Sequence, residues 1–129
     1  MHRSKLSTFV IDCQTGDVDA AASFWSKALG RSVLPVAEGD GDRYRTLDMP
    51  ATQPMVLVQR VEHASRIHLD IESDDIEGEV ARLERLGAKR VEKVRSWWVM
   101  EAPTGQRFCV VRPQRGPLGD EANQWPDGT

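Results

Sequence analysis

Few residues in this chain could do bond-making chemistry. It has three histidines, His2, His63 and His68, and two cysteines, Cys13 and Cys109. Imidazole catalysis or metal ligation must therefore use one of three residues. His68 alternates with Asp70 and Glu72 in the run Arg66–Glu72, Arg-Ile-His-Leu-Asp-Ile-Glu. In a strand, such alternation sets the three polar side chains on one face and Ile67, Leu69 and Ile71 on the other. The apolar face is expected to pack under helices, and the polar face to be able to meet a ligand. The two thiols sit in apolar, β-branched runs and read as buried free cysteines. Arg107, two residues before Cys109, shares its face and could favour a thiolate there. No Ser-His-Asp order, phosphate-binding glycine loop or Cys-x-x-Cys pair occurs.

Aromatic and basic neighbours add recognition chemistry. Trp97 and Trp98 are adjacent in a strand-like run and so point to opposite faces, one into a core and one able to contact a planar or apolar ligand. Tyr44 lies between Arg43 and Arg45, either of which could pair with a ligand carboxylate if it faces a binding surface. Phe24 and Trp25 lie in a helical stripe and read as core. Glu77, Glu79, Arg82, Glu84 and Arg85 read as a solvated helix face of mixed charge.

The elements that position these residues repeat. Leu6–Cys13 reads as a strand, and Asp17 or Gly16 can cap a helix whose apolar stripe is Val18, Ala21, Ala22, Trp25, Ala28 and Leu29, ending at Gly30. Three strands are predicted next, over 32–36, 43–49 and 55–61. The pattern then restarts with a strand at 66–72. A helix follows the Ser73-Asp74-Asp75 cap with the stripe Ile76, Val80, Leu83 and Leu86 and stops at Gly87. Three more strands are predicted at 89–94, 97–101 and 106–112. The expected fold class is α+β: two βαβββ repeats, about 6–61 and 66–112, sharing one open, cupped, eight-stranded mixed sheet with the helices outside. Residues 6–112 form the expected domain. The tail 113–129 is rich in Gly, Pro and acid and reads as flexible, with Trp125 packing on the domain as the sharper alternative.

Three ordered segments carry a resemblance over residues 6–112. They are Asp17–Trp25 with its closing Leu29-Gly30, Val58–Val61 running on to Arg66–Ile71, and Ala102–Val110. Together with the internal repeat, they resemble the vicinal oxygen chelate superfamily, and within it the small bacterial glyoxalase-like domains of the glyoxalase, bleomycin-resistance and dioxygenase group. The resemblance implies four metal-ligand positions, one from the first and one from the last strand of each half. His68 falls at one of them and is the only conventional ligand. Cys109 stands four residues past Gly105, where a glutamate is expected. The last strand of the first half offers Gln59 or Val58. The first strand offers a position near Val10, with Asp12 or Cys13 as the nearby residues able to ligate. The resemblance thus implies that the usual metal set is incomplete and that no cofactor is needed. A metal-dependent lyase or dioxygenase with non-standard ligands is the alternative, and whether the chain is an enzyme stays open. The expected ligand-binding cup comprises His68, Asp70, Gln59, Trp97, Trp98, Arg107 and Cys109. Its expected ligand is a small, aromatic or apolar molecule, and the expected assembly is a homodimer; a structural or regulatory dimer module without a ligand is a third reading.

Composition narrows the partners. The chain has 129 residues, 40% hydrophobic and 29% charged, which is a single average globular domain. Lys+Arg 17 against Asp+Glu 20 gives a net charge of -3 without a basic run, which argues against a nucleic-acid partner. No apolar stretch approaches the ~20 residues of a membrane span, and no secretion signal is read at the N-terminus. A cytoplasmic, reducing location is the expectation.

Overall fold

The computed structural model describes residues 1–129. In chain order the elements are β1 (His2–Gln14), α1 (Val18–Leu29), β2 (Tyr44–Thr46), β3 (Met55–Val61), β4 (Arg66–Ser73), α2 (Ile76–Arg85), β5 (Lys89–Val94), β6 (Trp97–Glu101), β7 (Arg107–Val111) and β8 (Asn123–Trp125). The eight strands belong to one open mixed sheet in the order β2-β3-β1-β4-β7-β6-β5, with β8 paired to β1. The α+β class and the two helices are as the sequence pattern predicts. The identity of the eighth strand is not. Residues 32–36 contribute only the single bridge Val33 to Leu47, and β8 comes instead from the tail.

The chain falls into two compact units, Thr8–His68 and Met1–Ser7 with Leu69–Thr129. In the first, β1 runs parallel to β3 and β3 antiparallel to β2. Helix α1 starts where the Asp17 carboxylate accepts from the amides of Asp19 and Ala20, both at 3.1 Å, and ends at Gly30 with φ 68°. Its stripe buries Val18 and Ala22 against Val58, and Ile11, Leu47 and Val56 pack beside them, with Trp25 and Cys13 touching both groups. Each such aliphatic side chain taken from water contributes about 1.5–3 kcal/mol. Phe24 departs from its expected place: it is 61% exposed and meets Trp25 edge to face at 5.1 Å. One helical stripe of this width holds only one of two adjacent aromatics, and Trp25 takes it.

In the second unit, β7 pairs parallel to β4 and antiparallel to β6, which pairs with β5. Helix α2 is capped by Asp75, whose carboxylate accepts from Gly78 N at 3.0 Å. A Cβ at Gly78 would stand 2.6 Å from that carboxylate, so the cap needs glycine there. The core is Val80, Met100 and Val110, with Phe108 and Trp98 packed against it.

Three expectations are corrected here. The apolar face of β4 is not covered throughout: Ile67 is 59% exposed and Leu69 is also exposed. Glu79 is not on a solvated face but fully buried. It receives the Arg82 guanidinium through two 2.8 Å bonds and lies 2.8 Å from Nε2 of His2, which is itself buried. Burial opposes ionisation of Glu79, but the hydrogen bonds from Arg82, His2 and Ser4 outweigh it and hold the carboxyl below its ordinary value. And β1 starts at His2, four residues ahead of the expected strand, because β8 pairs with His2–Ser4. Trp125 on β8 donates from Nε1 to Ser4 Oγ at 2.8 Å and lies 3.9 Å beneath the Arg82 guanidinium. Within the tail, the packed arrangement of Trp125 is the one observed.

Candidate functional site

Register decides which side chains are available to a ligand. In the unit Thr8–His68, Ile11 is opposite Val58 and both face α1. Asp12 is opposite Gln59, and Gln59 is opposite Tyr44, so these three project from the face turned away from α1. Gln59 Nε2 lies 3.4 Å from the Tyr44 hydroxyl. Arg45 points the other way, with Nε on the Asp19 carboxylate of α1 at 2.8 Å, and is unavailable to a ligand on the Asp12 face.

Asp12 anchors this face. Its side chain is 2% exposed, and Oδ2 lies 2.7 Å from Nδ1 of His68 and 3.6 Å from Nε of Arg66. A carboxylate only accepts hydrogen bonds, so Nδ1 carries the proton of that bond and Nε2 is the other functional nitrogen of the ring. Oδ1 of Asp12 is buried and accepts no hydrogen bond. Burying a carboxylate costs several kcal/mol unless partners offset it. Only one of the two Asp12 oxygens has them. The register question left by the sequence is thereby settled between its two residues. Asp12 faces away from α1, and Cys13 packs with the α1 cores. Burial, and then the neighbouring Asp12 charge, push the Cys13 thiol up, which makes it a poor nucleophile.

In the other unit, Phe108 and Val110 face α2, so Arg107 and Cys109 project from the opposite face of β7. Asp70 is the register partner of Cys109 on β4, and Val99 its partner on β6. Arg107 is engaged by Glu101 at 3.4 Å. Of the tryptophan pair, Trp98 is the core residue: it donates to Glu77 of α2 at 2.9 Å, lies under Arg90 at 4.9 Å and packs on the Val80 core. Trp97 therefore takes the face away from α2, with Arg107 and Cys109. Trp98 is withdrawn from the set that could line a site there. Glu72, at the end of β4, is 1% exposed and accepts from Ser7 Oγ, so it is structural. Arg66 is not among the expected site residues, because an exposed arginine at a strand start carries no periodic signal.

The glyoxalase-like domain family matches residues 8–111, most of the chain. The chain belongs to the glyoxalase-like domain family. No curated protein matches this glyoxalase-like chain in sequence. Among solved structures, a hypothetical protein from Bacillus halodurans C-125 is 10% identical with a TM-score of 0.62, over 89% of this chain and 99% of that one. Methylmalonyl-CoA epimerase from Mycobacterium tuberculosis is 16% identical with a TM-score of 0.62, over 84% and 87%. A variant of the Streptomyces coelicolor epimerase, in complex with 2-nitronate-propionyl-CoA, is 15% identical with a TM-score of 0.52, over 85% and 98%. At these identities the likeness is one of fold, that of the vicinal oxygen chelate superfamily.

That superfamily implies a divalent metal. The donors here are one imidazole, one carboxylate and one thiol, from His68, Asp70 and Cys109. His68 and Asp70 alternate on one side of β4, and Cys109 is the register partner of Asp70. A carboxylate on the remaining ring nitrogen is the usual support for a ligating imidazole, and Asp12 supplies it. The donor chemistry fits a borderline-soft ion such as zinc, with one carboxylate and one histidine in place of a fuller set.

Proposed function

We propose that this glyoxalase-like protein binds a small organic molecule, partly aromatic or apolar, on the sheet faces turned away from its helices. The observation that carries the reading is the Asp12–His68 pair, a 2% exposed carboxylate fixing a histidine whose side chain is 13% exposed. Such a pair is costly to bury and adds little to folding, as expected of groups retained for recognition. In the unit Thr8–His68, Gln59 and Tyr44 would add hydrogen-bonding groups beside Asp12. In the other unit, taken by itself, Asp70, Arg107 and Cys109 would offer polar groups and Trp97 apolar contact area. One solved neighbour holds an acyl-CoA analogue, which supports an organic ligand with a carbonyl group among the first to try. The test is a binding screen read by thermal shift, using carboxylic acids, acyl-CoA esters and aromatic amides. His68→Ala should weaken any hit about tenfold or more, the loss of about one charge-assisted hydrogen bond. A hit whose affinity is unchanged by His68→Ala overturns the assignment.

A second reading is favoured by the donor set His68, Asp70 and Cys109: a metal-dependent lyase or dioxygenase of the glyoxalase type. There the metal would act as a Lewis acid toward vicinal substrate oxygens. Stoichiometric metal in the purified protein, lost in His68→Ala, would decide for it. A homodimer is part of the main proposal; it would cover exposed apolar side chains such as Ile67 and Phe24. So is a reducing, cytoplasmic location, which suits two free cysteines.

A further inference from the structure

Each half of the chain lays one helix on its strands, and the outer faces of the two helices differ. On α2 the outer face is charged, with Glu77, Glu84 and Arg85 exposed, as is usual where a helix meets water. Within α1 the charged residues are Asp19 and Lys27 alone, and Asp19 is held by Arg45 at 2.8 Å. The inner stripe of α1 is spent on Val18, Ala22 and Trp25. Its outer face is apolar as well: Phe24 is 61% exposed, and Ala20 and Ala28 are exposed beside it. The four-residue step sets these alanines on the same face as Phe24, one turn to either side. The fold itself does not ask for this, since α2 fills the matching place in the repeat with a solvated face. A helix that is apolar on two faces is one whose second face is also covered.

We propose that the outer face of α1 is where two copies of this chain meet, their α1 helices packing antiparallel with Phe24 at the two-fold axis. This rests on the homodimer named above and adds the surface that forms it. Two features commit the face to a second copy. It is its own complement in shape. One large side chain is flanked at equal steps by two alanines, so a two-fold axis at Phe24 sets Ala20 of each copy opposite Ala28 of the other. The small alanines let the helix axes approach to about 8 Å, and the two phenyl rings fill the space between them. It is also its own complement in charge. Asp17 caps the N-terminal end, while Lys27 lies in the last turn and Arg31 follows the closing Gly30. Arg31 is fixed at that end by its Nε, which donates to the Asp48 carbonyl at 2.7 Å. Antiparallel copies set acid against base at both ends, and parallel copies set like against like. A helix of 12 residues is only about 18 Å long. The contact is therefore small, and the dimer dissociates on the order of 10–100 µM.

Sedimentation equilibrium of the full chain, at concentrations on both sides of that range, reads the assembly directly. The mass is expected to rise from 14.5 kDa toward twice that value. Phe24→Arg changes an exposed side chain and leaves the fold intact by circular dichroism; it should raise the dissociation constant about thirtyfold or more, the scale of an anchor residue at the centre of an interface. Asp17→Asn keeps a capping side chain and loses only the charge, and should raise it about threefold. Orientation is read by mild oxidation, with the cross-linked peptides identified by mass spectrometry. Phe24→Cys should join to itself between copies, and Ale20 is tested in the same way: Ala20→Cys should join to Ala28→Cys when the two variants are mixed. A dimer whose affinity is unchanged in Phe24→Arg overturns the α1 contact and leaves a homodimer through another surface. Ala20→Cys joined to itself in preference to Ala28→Cys overturns the antiparallel arrangement and with it the proposal. A parent chain that stays at 14.5 kDa overturns the contact and the homodimer together. None of these results depends on His68, so ligand binding stands or fails separately.

Discussion

Replacing Trp125 with alanine tests how the last strand is held. Trp125 is half-buried, donates to the buried Ser4 hydroxyl at 2.8 Å and lies 3.9 Å from the Arg82 guanidinium, whose side chain is 12% exposed. The hydrogen bond is worth about 1 kcal/mol. A largely desolvated cation over an indole is worth about 1 kcal/mol. Roughly half the packing loss of a fully buried tryptophan adds about 1.5 kcal/mol more. These terms overlap, because all three hold one ring, and the expected total is about 3 kcal/mol. For a domain of this length that lowers Tm by about 12 °C at roughly 4 °C per kcal/mol. Trp125→Phe keeps a ring beneath Arg82 and loses only the indole N–H, so it should cost about 1 kcal/mol. The assay is urea unfolding followed by circular dichroism, with thermal melts alongside. A Trp125→Ala protein within about 0.5 kcal/mol of the parent, the range of an ordinary surface substitution, would refute the packed arrangement of β8.

Glu79→Gln tests the buried charge cluster. The folded carboxyl ionises below its ordinary value, so its stabilisation is present above the unfolded value near ~4.3 and is lost as pH falls through the folded one. The variant should be about 3 kcal/mol less stable at pH 7 and show a flatter acid limb in pH-dependent melts; an unchanged acid limb contradicts the assignment. Gly78→Ala would drive a Cβ to 2.6 Å from the capping carboxylate of Asp75, and urea unfolding should show a loss of about 1–2 kcal/mol. Phe24→Ala should change stability by less than about 0.5 kcal/mol, whereas Met100→Ala, with no exposure, should cost about 2–5 kcal/mol.

Local rules read both helices well, because a cap and an αL glycine act within a few residues: Asp17 with Gly30, and Asp75 for α2. Strand identity was harder. The run 32–36 is apolar enough for a strand, but the chain pairs there at one residue only, and Asn123–Trp125 takes the eighth place by pairing with His2–Ser4 at the other end of the chain. The burial of Glu79 is hidden from the sequence for a related reason. Glu79 lies in a charged helical run, and nothing local says that His2, 77 residues earlier, will bury it. At the candidate site, strand alternation placed His68 and Asp70 on one face of β4. It could not choose between Asp12 and Cys13, since the turn at 14–16 hides the register that pairing with β3 fixes. Nor could it say which of Trp97 and Trp98 is core, because that depends on contacts with α2, where Glu77 lies 21 residues away in sequence.

In the proposed function, the Asp12-held imidazole of His68 meets a small ligand. The most direct measurement is the ring ¹⁵N spectrum of His68 during titration with the strongest hit of the acid, ester and amide screen. The Nε2 resonance of His68 is expected to move along a saturable curve while those of His2 and His63 stay in place, and His68→Ala is expected to weaken binding about tenfold or more. A saturating ligand that leaves the His68 ring unmoved would contradict it.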